Sequence, residues 1–262
     1  MTQHKCRIVA VANQKGGVGK TTTALNLAAG LAELDRRVLL IDMDPQGNST
    51  TGCGIELEQH DPTVCEVLLN EQPADQVIRR VEAMKFDLIP ANGDLTAAEV
   101  ALLELDDRAS VLKQEIAPLT ARYHHIIIDC PPALNVLTLN ALTAAHGVLI
   151  PMQCEYYALE GLTALINTIE QVQDSVNPAL EIEGLVRTMF DVRNNLSGAV
   201  SRQLQEHFGG KLFTTVIPRN VRVAEAPSYG QSVIQYDRES RGAIAYLGLA
   251  GEYLRRSGAT LA

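Results

Sequence analysis

The stretch Asn13-Gln14-Lys15-Gly16-Gly17-Val18-Gly19-Lys20-Thr21-Thr22 decides how this chain is read. An apolar run, Ile8-Val9-Ala10-Val11-Ala12, leads into it, and a helical pattern from Ala24 to Leu34 follows. Strand, glycine loop and helix in that order make a cradle for an anion. Glycines let the backbone turn sharply and approach a charged group closely. The exposed N–H groups and the helix N-terminus then face the negative charge. Lys20 is placed to reach phosphate oxygens, and the Thr21 hydroxyl to hold Mg²⁺. The pattern G-x-x-x-x-G-K-[ST] is met except at its first glycine, where Gln14 stands. A second lysine, Lys15, precedes Gly16-Gly17 and brings a second cation to the loop.

Outward from the loop, strands and helices alternate. Residues 7–12 and 37–42 read as buried parallel strands, apolar on both faces. The second ends in Asp42-Met43-Asp44-Pro45-Gln46-Gly47-Asn48. Carboxylates just past the C-terminal end of a central strand lie where open α/β sheets bind ligands. Asp42 and Asp44 are therefore candidates for a Mg²⁺ shell and for handling water. Tyr123 to Asp129 is a further buried strand, capped by Cys130-Pro131-Pro132. An apolar run ending in Asp is the Walker B pattern, and its carboxylate orders Mg²⁺ directly or through water.

Single helices are expected over 74–84, 95–105 and 108–121, and again over 135–145, 158–174, 197–208 and 240–257, with Gly258 as a stop. Strands are expected at 86–90, 147–151, 182–188 and 212–217. Residues 52–61 read as loop. The alternation implies an α/β fold of P-loop type: a mostly parallel central sheet with helices on both faces. No repeat or low-complexity linker divides the chain, so residues 1–262 are expected to form one domain. His124 and His125 point to opposite faces of a strand and cannot share a metal.

The bulk composition narrows the classes. The chain has 262 residues, enough for a sizeable core. Its net charge of −9 argues against a generally basic surface but leaves room for a local patch. Aromatics make up 4% and there is no Trp, which disfavours stacking platforms for single-stranded nucleic acid. Five cysteines without a C-x-x-C spacing suit a reduced, cytoplasmic chain. No 18-residue apolar segment occurs, and the first apolar run ends in the glycine loop, so neither a membrane span nor a signal peptide is expected.

Lys15 to Thr22 resembles the deviant Walker A box of the ParA/MinD ATPases. Asp42 to Asn48 looks like their Walker A′ segment, and Ile128-Asp129-Cys130-Pro131-Pro132 like their Walker B. Gln153 to Gly161, Val216 to Arg222 and Glu225 to Gly230 are similar to chromosomal ParA (Soj) proteins. The resemblance runs from about residue 7 to 255 and is weakest over 55–85.

The resemblance implies ATP and Mg²⁺ as ligands and an ATP-dependent sandwich homodimer. In it, Lys15 crosses to the partner's nucleotide, and Lys20 binds phosphate within its own subunit. Gly16, Gly17, Val18, Gly19, Thr21 and Thr22 complete the phosphate site. Thr21 ligates Mg²⁺, Asp129 supports the metal through water, and Asp44 positions the attacking water. Met189, Pro218 and Asn220 fall where relatives line the adenine site. Arg193 and Arg222 match arginines used on DNA, with Arg187, Arg202, Lys211, Arg219, Arg238 and Arg241 as neighbours that could widen the patch. The implied activity is weak ATP hydrolysis stimulated by a ParB-like partner, with non-specific double-stranded DNA bound by the dimer on the nucleoid. An N-terminal helix-turn-helix extension is not expected.

Three other readings stand beside this one. A MinD-like membrane-cycling ATPase ends in a basic amphipathic helix. Here Ile244, Leu247, Ala250 and Leu254 recur at helical spacing before Arg255-Arg256, which reads as a core-packed helix, and membrane binding is not expected. A redox ATPase similar to the nitrogenase iron protein needs cysteines that bridge subunits, and only Cys130 lies near Walker B. A metabolic transferase similar to dethiobiotin synthetase would need a small-molecule acceptor, for which no motif appears.

Overall fold

The computed structural model describes residues 5–156 and 158–257. Gly258, expected to end the last helix, lies outside the described residues, as do Met1 to His4 and Tyr157. The strands are β1 (Arg7–Val11), β2 (Val38–Asp42), β3 (Arg79–Val81), β4 (Phe86–Ile89), β5 (His125–Asp129), β6 (Gly147–Gln153), β7 (Glu181–Phe190) and β8 (Leu212–Pro218). All eight join one sheet in the order β3-β4-β2-β5-β1-β6-β7-β8. Every pairing is parallel except β3 with β4. The mostly parallel α/β fold expected from the alternation is the one observed.

Side-chain alternation sorts the strand residues between two cores. Ile8, Ala10, Leu39, Ile41, Ile126 and Ile128 belong to one. Val9, Val11, Val38, Leu40 and Ile127 belong to the other. A period of two is what a pleated strand imposes, and burial on both sides is why these runs are continuously apolar.

The first core is covered by α3 (Val64–Leu68), α5 (Leu95–Leu102), α6 (Val111–Ile116), α7 (Val136–Ala144) and α8 (Ala158–Ser175). The second is covered by α1 (Lys20–Glu33) and α12 (Arg241–Arg256). The alanine-rich face of α1 lets these two helices come close. A Cβ added at Gly30 would sit 2.9 Å from the Ala250 methyl. Short helices α2 (Asn48–Gly52), α4 (Ala74–Val77), α10 (Val221–Glu225) and α11 (Val233–Tyr236), with the longer α9 (Asn195–Phe208), complete the chain.

Three expected helices are broken or shorter. Residues 74–84 hold α4, then β3, then a 3₁₀ turn at Glu82–Met84. Pairing Arg79-Arg80-Val81 to the outer edge of β4 outweighs local helix propensity. The helix expected over 108–121 runs only from Val111 to Ile116. A 3₁₀ segment (Ala117–Ala121) with Pro118 in its first turn follows, because proline has no N–H to continue the ladder. The third, expected over 95–105, ends at Leu102.

Candidate functional site

The C-terminal ends of β1, β2, β5, β6, β7 and β8 lie along one edge of the sheet, and the phosphate loop sits there. Gly17 and Gly19 have φ of 72° and 85°, the left-handed region that glycine alone enters without strain. Gly19 is the N-cap of α1 and supplies no side-chain hydrogen bond, so the first amides of this 14-residue helix are uncapped by side chains. A Cβ at Gly16 or Gly17 would meet nothing within 4 Å. The loop thus presents bare backbone to open space.

Neighbouring strand ends brace it. The Thr188 hydroxyl donates to the Val18 carbonyl at 2.7 Å, and Gln153 Nε2 to the Gly17 carbonyl at 3.2 Å. Gln153 Nε2 also reaches Met189 Sδ at 2.9 Å. Asn13 Nδ2 donates to the Pro151 carbonyl while its Oδ1 accepts from the Lys15 N–H. Sequence reasoning missed Asn13, Gln153 and Thr188. The strand-end argument applied to Asp42 and Asp129 would have found Gln153 and Thr188.

Lys20 is buried, and its Nζ lies 3.4 Å from the Lys15 carbonyl. Burial lowers the pKa of its ammonium, against the pull of Asp129, Cys130 and Asp44. Asp129 is fully buried. Its Oδ2 accepts from the Ser49 hydroxyl at 2.8 Å. Its Oδ1 has no hydrogen-bond partner among the described residues, although the Thr21 hydroxyl is near enough to ease the charge. Burial first, then repulsion from Asp42, pushes the Asp129 carboxyl well above the usual carboxylate range. Such an atom, beside Thr21 and below an open glycine loop, fits a hydrated cation.

Asp42 pairs with Asp129 in register, but its oxygens serve the fold. Oδ2 accepts from the N–H and hydroxyl of Thr50, at 2.9 and 2.8 Å, and Oδ1 from the Asp44 N–H at 3.2 Å. These bonds shape the turn that carries Asp44. Asp44 is buried, accepts from the Gln46 N–H through Oδ1, and lies close enough to Lys20 to act on its charge. Among the described residues no cluster of three His, Cys, Asp or Glu side chains could hold a metal. Mg²⁺ suits such a site, since it keeps several waters and takes phosphate oxygens with few protein ligands.

The remaining predicted residues spread along the same edge. Lys15 points outward to Glu155, Nζ to Oε2 at 2.6 Å. Met189, at φ 47°, places its Cε 3.7 Å from where a Cβ on Gly19 would lie. Pro218 ends β8 opposite Phe190. Asn220 caps α10 through Oδ1, 3.3 Å from the Val223 N–H.

Arg193 is exposed and gripped by Asp191 through two side-chain bonds, at 2.9 and 2.7 Å. Arg222, half-exposed, is held by Glu225 at 2.8 Å and Asp237 at 3.3 Å. Arg193, Arg219 and Arg241 share a cleft of about 710 Å³. Arg187 instead turns inward to Ser201 and the Phe213 carbonyl, and Arg238 pairs with Glu33. All five cysteines are buried, Cys130 at 1% exposure, so none is offered to a cluster shared between subunits.

Comparison with known proteins decides the family. A family model described as an AAA domain matches residues 6–182. The chromosome partitioning protein ParA of Myxococcus xanthus is 50% identical over 250 residues, covering 95% of this chain and 88% of its own. The sporulation initiation inhibitor protein Soj of Bacillus subtilis is 49% identical over 246 residues, covering 94% and 97%. The chain belongs to the ParA/Soj family. Among solved structures, one named as the cobyrinic acid a,c-diamide synthase of Mycobacterium smegmatis, with bound ADP and magnesium, is 40% identical. It superposes with a TM-score of 0.85 over 97% of this chain and 96% of that one. A family with a nucleotide–magnesium complex on this fold accounts for the uncapped helix, the bare loop and the unpaired buried oxygen together.

Proposed function

We propose that this protein is a chromosome-partitioning ATPase of the ParA/Soj type, with Mg²⁺–ATP as its ligand. One observation carries the reading: the unpartnered Oδ1 of buried Asp129 beneath a loop of left-handed glycines, with Lys20 and Asp44 beside it. Bound Mg²⁺–ATP supplies the transferable phosphoryl group and the metal that spreads its charge.

The chain's residues do the rest. The amides of Gly16 to Thr22 and the α1 N-terminus hold phosphate oxygens, and Lys20 adds a buried positive charge. Thr21 would offer its hydroxyl to the metal, and Asp129 Oδ1 would support the metal through water. Asp44 orients a water molecule at its carboxylate. Asp42 shapes the Asp44 turn rather than touching the ion. Lys15 leaves Glu155 and crosses to the nucleotide of a second copy, so that the dimer forms with ATP and loosens with ADP. Met189, Pro218 and Asn220 flank the base. Arg193 and Arg222 hold duplex phosphates without reading sequence. A ParB-like partner speeds an otherwise weak hydrolysis. Residues 1–262 act as one domain in the cytoplasm, on the nucleoid.

The test is DNA binding by Asp44→Ala protein with ATP, ADP or no nucleotide at two salt concentrations, with anionic vesicles in parallel. Salt-sensitive duplex binding with ATP alone is expected. Vesicle binding without DNA binding would favour a MinD-like role. Binding to neither would favour a small-molecule enzyme, the activity named for the Mycobacterium smegmatis structure.

A further inference from the structure

Two neutral donors from outside the phosphate loop fix its backbone. Thr188, near the end of β7, is buried, and its hydroxyl donates to the Val18 carbonyl at 2.7 Å. Gln153, the last residue of β6, donates through Nε2 to the Gly17 carbonyl at 3.2 Å. The two are register partners across the parallel β6–β7 ladder. Their side chains therefore leave the same face of the sheet and reach successive carbonyls of the loop.

A carbonyl and the N–H that follows it share one rigid plane and point in opposite directions across a trans bond. No peptide bond among the described residues is cis. Holding the Val18 carbonyl against Thr188 therefore aims the Gly19 N–H away from Thr188. Holding the Gly17 carbonyl against Gln153 likewise aims the Val18 N–H away from Gln153. Neither N–H donates to another described residue. Two successive free amides beside the open space at Gly16 and Gly17 suit an anion.

The two planes differ in how firmly the loop holds them by itself. Val18 has a negative φ, and reversing the Gly17–Val18 plane would drive this β-branched residue to a positive one, which its side chain resists. Reversing the Val18–Gly19 plane puts the change of sign on Gly19, now at φ 85°, and glycine tolerates either sign. The reversed plane would turn a carbonyl oxygen, not an N–H, on a phosphate. The Thr188 hydroxyl stands against that reversal. The strand end that carries it is itself pinned. Met189 stands at φ 47°, a region that a side chain enters at a cost and that persists where the surroundings fix it. Its Sδ accepts from Gln153 at 2.9 Å, so one amide group ties both the loop and the turn at Met189.

We propose that Thr188, with Gln153 in support, is a positioning residue for nucleotide binding: it touches no phosphate itself and keeps the Gly19 N–H turned toward the place a phosphate oxygen occupies. The inference rests on the ATPase reading above. The full chain and its variants Thr188→Val, Thr188→Ser and Gln153→Leu are titrated with Mg²⁺–ADP by calorimetry, assayed for ATP hydrolysis, and melted without ligand. Thr188→Val keeps shape and loses the donor. It should bind Mg²⁺–ADP about tenfold or more weakly, the weight of one hydrogen bond to a charged group. Its KM for ATP should rise by a similar factor with kcat within about threefold, the mark of binding lost equally from ground and transition states. Thr188→Ser keeps the hydroxyl and should stay within about threefold of the parent. Gln153→Leu should lose only about two- to fivefold, because Val18 itself resists reversal. A Thr188→Val protein that melts earlier without ligand yet binds Mg²⁺–ADP as the parent does would overturn the proposal, since Thr188 would then serve the fold alone. Equal losses in Thr188→Val and Thr188→Ser would overturn it too, because the hydroxyl would not be the cause. Should Thr188→Val not fold, Thr188→Ala gives the same comparison with Thr188→Ser. A parent that binds neither nucleotide defeats the ATPase reading and this proposal together. That failure appears in the parent, whereas failure of the positioning role appears only in the variants.

Discussion

Lys15 and Glu155 form an ion pair, Nζ to Oε2 at 2.6 Å, that ties the phosphate loop to the turn after β6. Both side chains are well exposed, and an exposed pair contributes roughly 0.2–1 kcal/mol. The pair is a weak latch on the lysine proposed to cross between subunits. Glu155→Gln should release Lys15 and let the ATP-dependent dimer form at a concentration up to about fivefold lower. Sizing with light scattering over a dilution series reads this directly. An unchanged dimerisation midpoint would show that the latch contributes nothing. Lys15→Ala should bind nucleotide and remain monomeric whichever residue stands at 155.

Lys20 and Asp44 should separate binding from hydrolysis. Lys20 is a buried cation whose pKa burial lowers while Asp129 and Asp44 pull the other way, so Lys20→Ala removes the positive charge and leaves the carboxylates facing phosphate. Loss of tight ATP binding is expected, measured by calorimetry. Asp44→Ala should bind ATP and dimerise but hydrolyse about 10²–10⁴-fold more slowly, the usual range for a positioned acid–base group. Turnover at the parent's rate would remove Asp44 from that role.

The fold and the phosphate site were legible because their signals are local. Ile8 to Val11 and Ile126 to Ile128 are buried on both faces, and nothing but a covered parallel strand accepts such runs. The glycines, Lys20 and Thr21 are adjacent in sequence, so their geometry follows from one loop. The work of Asp42 was not legible. Thr50, which claims its Oδ2, belongs to a five-residue helix with no periodic signature. Ser49 on Asp129 and Thr188 on Val18 are likewise pairings between distant segments. The carboxylates holding Arg193 and Arg222 illustrate a different gap. Asp191, Glu225 and Asp237 were all visible in sequence, but only the fold shows that these pairs form.

Glu252 gives a prediction on stability against pH. On α12, it accepts from the N–H groups of Thr214 and Thr215 on β8, each at 2.8 Å, and pairs with Arg256. Burial alone would raise its pKa, but the bonds from Thr215 and Thr214 and the Arg256 charge outweigh it, and the net shift is downward. A carboxylate lowered in the folded state stabilises it above the unfolded value, about 4.3, and that contribution is lost as pH falls through the folded value. Glu252→Gln should cost about 1–3 kcal/mol at pH 7 and less in acid. Urea melts of parent and variant should therefore differ most at pH 7 and draw together as the pH is lowered below about 4.3 and through the folded value. A gap that stays constant would mean that packing, not charge, holds β8 to α12.

The paired arginines make the DNA surface a competition. Asp191 holds Arg193 by two bonds, and both side chains are solvent-accessible, so phosphate must displace a carboxylate. Arg193→Ala and Arg222→Ala should each weaken duplex binding by the ATP-bound Asp44→Ala dimer. Each should also lower the slope of log K against log salt by about 0.9 for every DNA phosphate that a subunit no longer neutralises. Asp191→Asn acts the other way. It removes the competing charge and leaves Arg193 in place, so affinity should rise while the dimer stays intact. Fluorescence anisotropy with two unrelated duplexes at several salt concentrations measures both effects, and the two sequences should respond alike, since phosphate contacts carry no base information. If Asp191→Asn leaves affinity unchanged while Arg222→Ala abolishes it, the duplex lies on the α10 side alone, and the cleft of Arg193, Arg219 and Arg241 takes no part.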